Sequence, residues 1–570
     1  MPADAGRGRN QTNTMEESRM DYANLYRTDV DGLADWAKLP DIDPCVPALL
    51  AHCRKAWPDK DYVIFDDERV TYGEADARSA ILARQLLAAG VGKGSRIGMI
   101  FPNSPAFMIT WLAITRIGAI VVPISTLSQG AEILHATRHA DLQMIITIDQ
   151  FLNHNYVQRI AESFPGLDTA RAPYALDATP YLRSIWVWGK NVPAWATAVD
   201  LSKKPAIGAS LLAEIEKDVT PSDLISIIYT SGSTADPKGV MHTHGNFLRQ
   251  GARLAATYPY KGDDRIYAPM PFFWVGGITL TLLNAMHLGA TVIGSAKFGT
   301  ELMDIVERER TTYMVAWPHI AKAFIADPSF KTRNWSHMRG GGLIDVLAPE
   351  KAPKNQYMGQ ALGMSETCGP HTASPINIPD HLIRSFGPPM PGMRHRIVNV
   401  ETGKDADHGE TGELLVRGNA LMLGLVKRER SDTFDEDGWY ATGDLCSFRE
   451  GHLFFHGRLD DMIKTAGANV SPREVEAVLM SLPGVAQASV SSVPDDEKGA
   501  VVGAIVVPKP GETLDPAKLR EGAAKVLSVY KVPKVFVIME ASKLPMMSSS
   551  KLDRRALLKI LADAHPSGRK

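Results

Sequence analysis

The stretch from Arg96 to Val122 constrains the fold more than any other. An apolar run, Arg96 to Phe101, leads to Asn103, Ser104 and Pro105, then a segment of apolar residues up to Gly118, then a second apolar run, Ala119 to Val122. Asn103 and Ser104 can cap a helix that has Pro105 at its first position. A side-chain oxygen there accepts from an open N–H of the first turn, and proline has no N–H to leave unpaired. Gly118 suits the left-handed residue that ends a helix. The pattern therefore predicts strand, helix, strand. Pro105 to Ile124 is also the most membrane-like segment, but Arg116, Gly118 and Pro123 interrupt it. It lacks the roughly 20 unbroken apolar residues a span requires, so no integral membrane segment is expected.

The alternation recurs downstream. Leu224 to Thr230 predicts a short strand, Thr279 to Leu288 a helix, and Ala290 to Gly294 a further strand. Alternating elements of this kind argue for α/β architecture, with helices packed on sheets. Glycines and alternation from Gly409 to Gly418 suggest hairpins. From Gly457 onward, short strands and helices form a segment large enough to fold alone, so a domain boundary is expected near Gly457 to Asp461.

A chain of 570 residues, 45% hydrophobic and 22% charged, fits a multidomain globular protein rather than a small module or a disordered chain. Lys+Arg number 62 against 64 Asp+Glu, a net charge of -2. No overall basic field would draw nucleic acid or an anionic membrane, so any anionic ligand must be met by local groups. Four cysteines without a C-x-x-C pair suggest a reducing compartment, and a cytoplasmic location is expected. The polar first 20 residues are expected to form a disordered leader, and the terminal PSGRK matches no retention or peroxisomal signal.

The clearest chemistry follows the strand Leu224 to Tyr229. Thr230 to Val240 reads TSGSTADPKGV. Gly232 and Gly239 allow close backbone approach, the hydroxyls of Thr230, Ser231, Ser233 and Thr234 can donate to phosphate oxygens, and Lys238 adds a point charge. Such a loop suits a polyphosphate. It is not a Walker A loop, because Lys238 precedes Gly239 rather than following a glycine. His242 and His244 stand two apart without an evident third ligand, which disfavours a metal site. His244 before Gly245 and Asn246 reads instead as the start of a helix.

Tyr229 to Gly239, YTSGSTADPKG, resembles the phosphate-loop signature of the adenylate-forming superfamily of acyl-CoA synthetases, luciferases and adenylation domains. Further matches follow in that family's order. LGMSET (Leu362 to Thr367) is similar to its aromatic-G-x-T-E motif, and GWYATGDL (Gly438 to Leu445) to its Y-x-T-G-D motif. GRLDDMIKTAGANVSPREVE (Gly457 to Glu476) resembles the hinge region, and LPMMSSSKLDRRAL (Leu544 to Leu557) the region of the catalytic lysine. The resemblance spans about residues 45 to 560. It implies a large multi-layered N-terminal α/β domain over residues 21 to 457, with sheets flanked by helices and a small β-barrel-like part. A smaller, mobile α+β C-terminal domain would occupy 458 to 570.

It further implies a two-step reaction. A carboxylate attacks the α-phosphorus of ATP to give acyl-adenylate and pyrophosphate, then a thiol takes the acyl group. Gly363, Met364 and Ser365 would join the loop residues around the nucleotide, with Ser365 keeping a hydroxyl where the family usually has Thr. Glu366 would hold Mg2+. Asp444 and Arg458 would bind the ribose, and Lys551 would stabilise charge as the adenylate forms. The pivot falls at Asp460. Rotation there would bring Lys464 and Gly467 to a CoA pantetheine arm, with Lys238, Lys464 and Lys551 as the catalytic lysines. Two positions depart from the pattern: Leu362 replaces an aromatic beside adenine, and Ser550 replaces a glycine before Lys551.

PMPFFWVGGIT (Pro269 to Thr279) matches the stretch that lines the acyl pocket, and it holds no acid to bind an α-ammonium. An amino acid substrate is disfavoured. Trp274 stands where many CoA ligases carry His, so an indole would gate the pocket. With Phe272, Phe273, Gly276 and Gly277 the site is expected to be apolar and roomy on its glycine side. The reading is an acyl-CoA synthetase for an apolar acid, a medium or long chain or a bulky cyclic acid, using ATP, Mg2+ and CoA. A ligase loading a carrier protein, or a catalytically impaired nucleotide-binding relative, remain as alternatives, and a homodimer is left open.

Overall fold

The computed structural model describes residues 41–230, 237–267, 269–314, 323–341, 361–374, 378–459, 462–465, 468–495, 499–527, 529–547 and 552–565. The chain divides into two compact units, one formed by Leu25–Arg394 with Arg417–Tyr440, the other by His395–Val416 with the chain from Ala441 onward.

The first unit carries an eight-stranded and a six-stranded sheet. At the centre of the larger sheet, Arg96–Ile100 pairs in parallel with Ile120–Ile124 and with Met144–Ile148. Leu224–Thr230 continues it beside Ile120–Ile124, and Lys238–Thr243 returns antiparallel. Parallel strands joined through helices are covered on both faces, which is why they read as unbroken apolar runs. The helix predicted from the capping pattern spans Pro105–Thr115, with every residue but Ala106 buried. Apolar on all sides, it is a core helix. At 11 residues it falls far short of a membrane span, and no helix among the described residues is long and apolar enough to cross one.

Of the two proposed caps only Ser104 serves, its side chain accepting from Phe107 N at 3.2 Å. Asn103 is used elsewhere, as described below. Gly118 takes the left-handed conformation, φ +70°. The predicted helix from Thr279 is instead a π-helical turn, Ile278–Leu283, running into a short α-helix, Asn284–Leu288. Thr279 and Thr281 hydroxyls donate to the carbonyls of Val275 and Gly277 there, and π turns concentrate at functional sites.

The second unit holds a four-stranded sheet whose last strands, Tyr440–Arg449 and His452–Arg458, form an antiparallel hairpin. A separate three-stranded sheet pairs Val485–Asp495 antiparallel with Gly499–Pro508, and the latter in parallel with Val535–Ile538. Helices Pro472–Ser481, Pro516–Ala524 and Arg554–Ala564 accompany it. Val475, Leu479, Val490, Val502, Ala504 and Leu519 are among its buried core residues, each large aliphatic contributing about 1.5–3 kcal/mol of transfer free energy.

Candidate active site

Within the first unit three segments converge on the turn that carries Glu366. The strand Lys238–Thr243 supplies the first. Thr230 and Lys238 are cross-strand partners, so antiparallel pairing closes the ends of the predicted phosphate loop. Gly239 is required by packing: a Cβ there would lie 2.9 Å from Val426 Cγ2 and 3.1 Å from Ile227 Cγ2.

The Glu366 turn is the second segment. Gly363–Met364 pairs antiparallel with Gly369–Pro370, and the 3-10 turn Ser365–Thr367 lies between them. A Cβ on Gly363 would sit 2.6 Å from the Gly369 carbonyl carbon, so only glycine lets the hairpin close this tightly. Cys368 ends the turn in left-handed backbone, φ +57°.

The third segment follows Gly418. Met422 N donates to Glu366 O at 2.7 Å, and Leu423 N donates to Met241 O at 2.8 Å. The Tyr440 hydroxyl donates to Glu366 Oε1 at 3.3 Å. His242, fully buried, ties the first segment to the second. Its Nε2 lies 2.7 Å from Ser365 O and its Nδ1 lies 3.0 Å from Cys368 Sγ. Burial holds the imidazole down to about 4, against the opposing hydrogen bond to Ser365, and pushes the Cys368 thiol well up. Both are neutral at ordinary pH. His244 opens the helix His244–Thr257 under a Thr243–Asn246 capping box, and its Nδ1 accepts from Val46 N at 3.2 Å.

The predicted acyl segment lies in the same unit. Asn103 Nδ2 donates to Met270 O at 2.9 Å, and Phe272 N donates to Asn103 Oδ1 at 2.7 Å. The residue expected as a cap is thus a latch on this loop. Phe272 is core, packed on Phe107 at 5.5 Å between ring centroids. Phe273 is buried and meets the half-buried Trp274 edge-on at 6.0 Å. The expectation of room beside Gly276 and Gly277 is corrected. A Cβ at Gly276 would lie 2.6 Å from Met270 Sδ, and one at Gly277 2.0 Å from Pro271 O. These glycines admit the 269–274 loop rather than a ligand. At the buried Gly369, φ +108°, a Cβ would meet among the described residues only Thr279 Oγ1, at 3.5 Å.

In the second unit Asp444 and Arg458 face each other across the hairpin, Nη1 to Oδ1 at 2.8 Å. The carboxylate side chain is 5% exposed and the guanidinium 42%. Gly443 N donates to Glu413 Oε1 at 3.0 Å, and the Thr442 hydroxyl to Leu414 O at 2.8 Å. The pair forms a two-sided hydrogen-bonding surface suited to vicinal hydroxyls.

Residues 50–426 match the AMP-binding enzyme family and residues 474–551 the AMP-binding enzyme C-terminal domain. The chain belongs to the AMP-binding enzymes, within the adenylate-forming superfamily. It is 28% identical to a sulfoacetate–CoA ligase of Cupriavidus necator over 91% of this chain and 98% of that one. It is 29% identical to the long-chain-fatty-acid–CoA ligase FadD13 of Mycobacterium tuberculosis, over 83% and 90% of the two chains. Its fold matches the anthranilate CoA ligase AuaEII, solved with anthranoyl-AMP, at a TM-score of 0.75 and 22% identity, covering 93% of this chain and 99% of the other.

In this AMP-binding enzyme several sequence-predicted residues lie outside the described ones: Ser231, Gly232, Ser233, Thr234, Asp460, Gly467 and Lys551. Of Lys464 the backbone is described, in a hairpin of Ile463–Thr465 with Ala468–Val470. Motif reading missed Asn103, Cys368, Thr279 and Tyr440, and it set His242 aside once a metal site was disfavoured. Only Tyr440 carried a signal, as the aromatic that opens YATGD. Among the described residues no group of three or more His, Cys, Asp or Glu could hold a metal. The lone carboxylate of Glu366 nonetheless fits Mg2+, which keeps waters and substrate phosphates as its other ligands.

Proposed function

We propose that this AMP-binding enzyme is an AMP-forming acyl-CoA synthetase for an apolar carboxylic acid, a medium or long acyl chain or a bulky cyclic acid. A carboxylate oxygen attacks the α-phosphorus of ATP and pyrophosphate leaves. The CoA sulfur then attacks the acyl carbonyl, its proton passing to solvent, and AMP leaves. The observation that carries the reading is the Glu366 turn, a carboxylate braced by backbone and side-chain hydrogen bonds beside the strand that starts at Lys238.

Each residue has a task in the scheme. Lys238 and the hydroxyls of residues 230–234 hold the phosphates. Glu366 would hold Mg2+, which supplies neutralising charge to them. Asp444 accepts from the ribose hydroxyls while Arg458 fixes its orientation. Lys551 carries the charge that builds on the α-phosphate and carboxylate. Turning about Asp460, the domain from 458 onward would exchange Lys551 for the Lys464 to Gly467 strip and CoA. Phe273 and Trp274, with no acid in Pro269 to Thr279, support an apolar acid. A cytoplasmic enzyme fits the absence of cysteine pairing among the four thiols, all of them free and buried.

The test is a panel of carboxylic acids supplied with ATP, Mg2+ and either CoA or a carrier protein, read as AMP release. Apolar acids with CoA should turn over fastest. Turnover confined to carrier protein would shift the acceptor, and turnover confined to sulfonated or doubly charged acids would overturn the substrate class.

A further inference from the structure

Resting on that adenylation reading, we propose that His242 and Cys368 are positioning residues, a thiol–imidazole–carbonyl relay that fixes the Glu366 carboxylate relative to the phosphate-loop strand. A carbonyl oxygen can only accept, so the 2.7 Å contact to Ser365 O requires the proton on Nε2 of His242. Nδ1 is then an acceptor, and the group facing it at 3.0 Å is the Cys368 thiol. The S–H donates to Nδ1, selects the Nε2–H tautomer, and so secures the bond to Ser365, the residue before Glu366.

Each end of the relay is anchored. His242 stands opposite Ser226 in the ladder that also pairs Lys238 with Thr230. The single Thr279 Oγ1 proton is shared between Val275 O at 2.9 Å and the Cys368 carbonyl at 3.2 Å, so one residue joins the Glu366 turn to the phosphate strand and to the acyl segment. Cys368 and His242 are both 0% exposed, and solvent cannot replace either bond. Cys368 also holds left-handed backbone, which a residue other than glycine adopts at a cost its surroundings must offset. Loosening the relay would let the carboxylate drift, and errors of about 1 Å at a reacting centre are expensive.

The experiment uses the full chain. Calorimetric titration with ATP, in Mg2+ and separately in EDTA, is run on wild type, Cys368→Val and Cys368→Ser. Histidine 15N spectra report the tautomer, and thermal melts report folding. Valine removes the donor, and the strain that a β-branched residue adds in left-handed backbone is read from the thermal melts, whereas serine keeps the donor. Cys368→Val should bind MgATP about three- to tenfold more weakly, the range expected for one neutral hydrogen bond. Its metal-free ATP affinity should be unchanged, and its His242 should show mixed tautomers. Cys368→Ser should match wild type in all three. Equal MgATP affinity in Cys368→Val and wild type, equal losses with and without Mg2+, or a wild-type Nδ1–H tautomer would overturn the relay. Should Cys368→Val not fold, the wild-type and Cys368→Ser spectra decide. A wild-type protein that binds no ATP in either buffer would overturn the adenylation reading itself, which the tautomer spectrum does not depend on.

Discussion

The Glu366 turn and the Asp444 hairpin hold their carboxylates in opposite ways. Asp444 meets Arg458, 14 residues away, across one hairpin. Glu366 is set by segments far apart in sequence: His242 reaches Ser365 over 123 positions, and Tyr440 reaches Glu366 over 74. A locally built group should fail alone when it is changed. A group braced from a distance should be sensitive to residues that touch no substrate.

The largest effect is expected at the lysine proposed to carry the charge of adenylate formation. Lys551→Ala should reduce adenylate formation by about 10²–10³-fold, the usual loss when a charge-stabilising donor is removed, while thioester formation from supplied acyl-AMP persists. Equal loss in both halves, followed by stopped-flow, would remove the division of labour between lysines. Asp444→Ala should come next. Losing a charged acceptor costs about 1.5–3 kcal/mol, or roughly 10- to 100-fold. That loss should fall on ATP and AMP affinity, measured by equilibrium dialysis, with the melting temperature nearly unchanged. A large fall in melting temperature would mean that the hairpin is no local unit.

Asn103→Ala sharpens the contrast from the other side, because among the described residues the Asn103 side chain bonds to the 270–272 loop alone. Removing its two bonds should raise KM for the acid about three- to tenfold while KM for ATP holds. Equal shifts in both would show that the loop does not serve the acid alone.

The smallest effect on catalysis should come from Glu309. It accepts from Arg69 Nη2 at 2.6 Å, Arg308 Nε at 3.0 Å and Arg265 Nη2 at 2.6 Å. Burial opposes its charge, but Arg69 and Arg308 outweigh burial and hold the carboxyl below its ordinary value. A carboxyl with a lower value folded than unfolded contributes stability above the unfolded value, and that contribution disappears as pH falls through the lowered one. Glu309→Gln should therefore cost about 1–3 kcal/mol near neutrality and converge with wild type in acid, with kcat unaltered. Denaturant midpoints across the pH range would reveal a constant difference if the carboxyl did not titrate with folding.

Much of the frame was legible because it is local. The Ser104–Pro105 helix start, the Gly118 stop and the strand Leu224–Thr230 each depend on neighbours a few residues away, as do the motifs around Lys238, Glu366 and Asp444. The same local logic misassigned Asn103, since two adjacent residues can both cap a helix and only packing decides which one does. It also took Gly276 and Gly277 for open space, when the missing side chains are filled by Met270 and Pro271.

By itself the sequence determined the alternating α/β plan and the family, because spacing along the chain encodes them, and it named the groups proposed to meet the nucleotide. Tertiary structure alone decided what holds those groups. The partner of His242 lies 126 residues away at Cys368. A buried thiol beside an imidazole leaves no periodic mark in a sequence, since its meaning arises only when folding removes water and leaves each polar atom one partner to find.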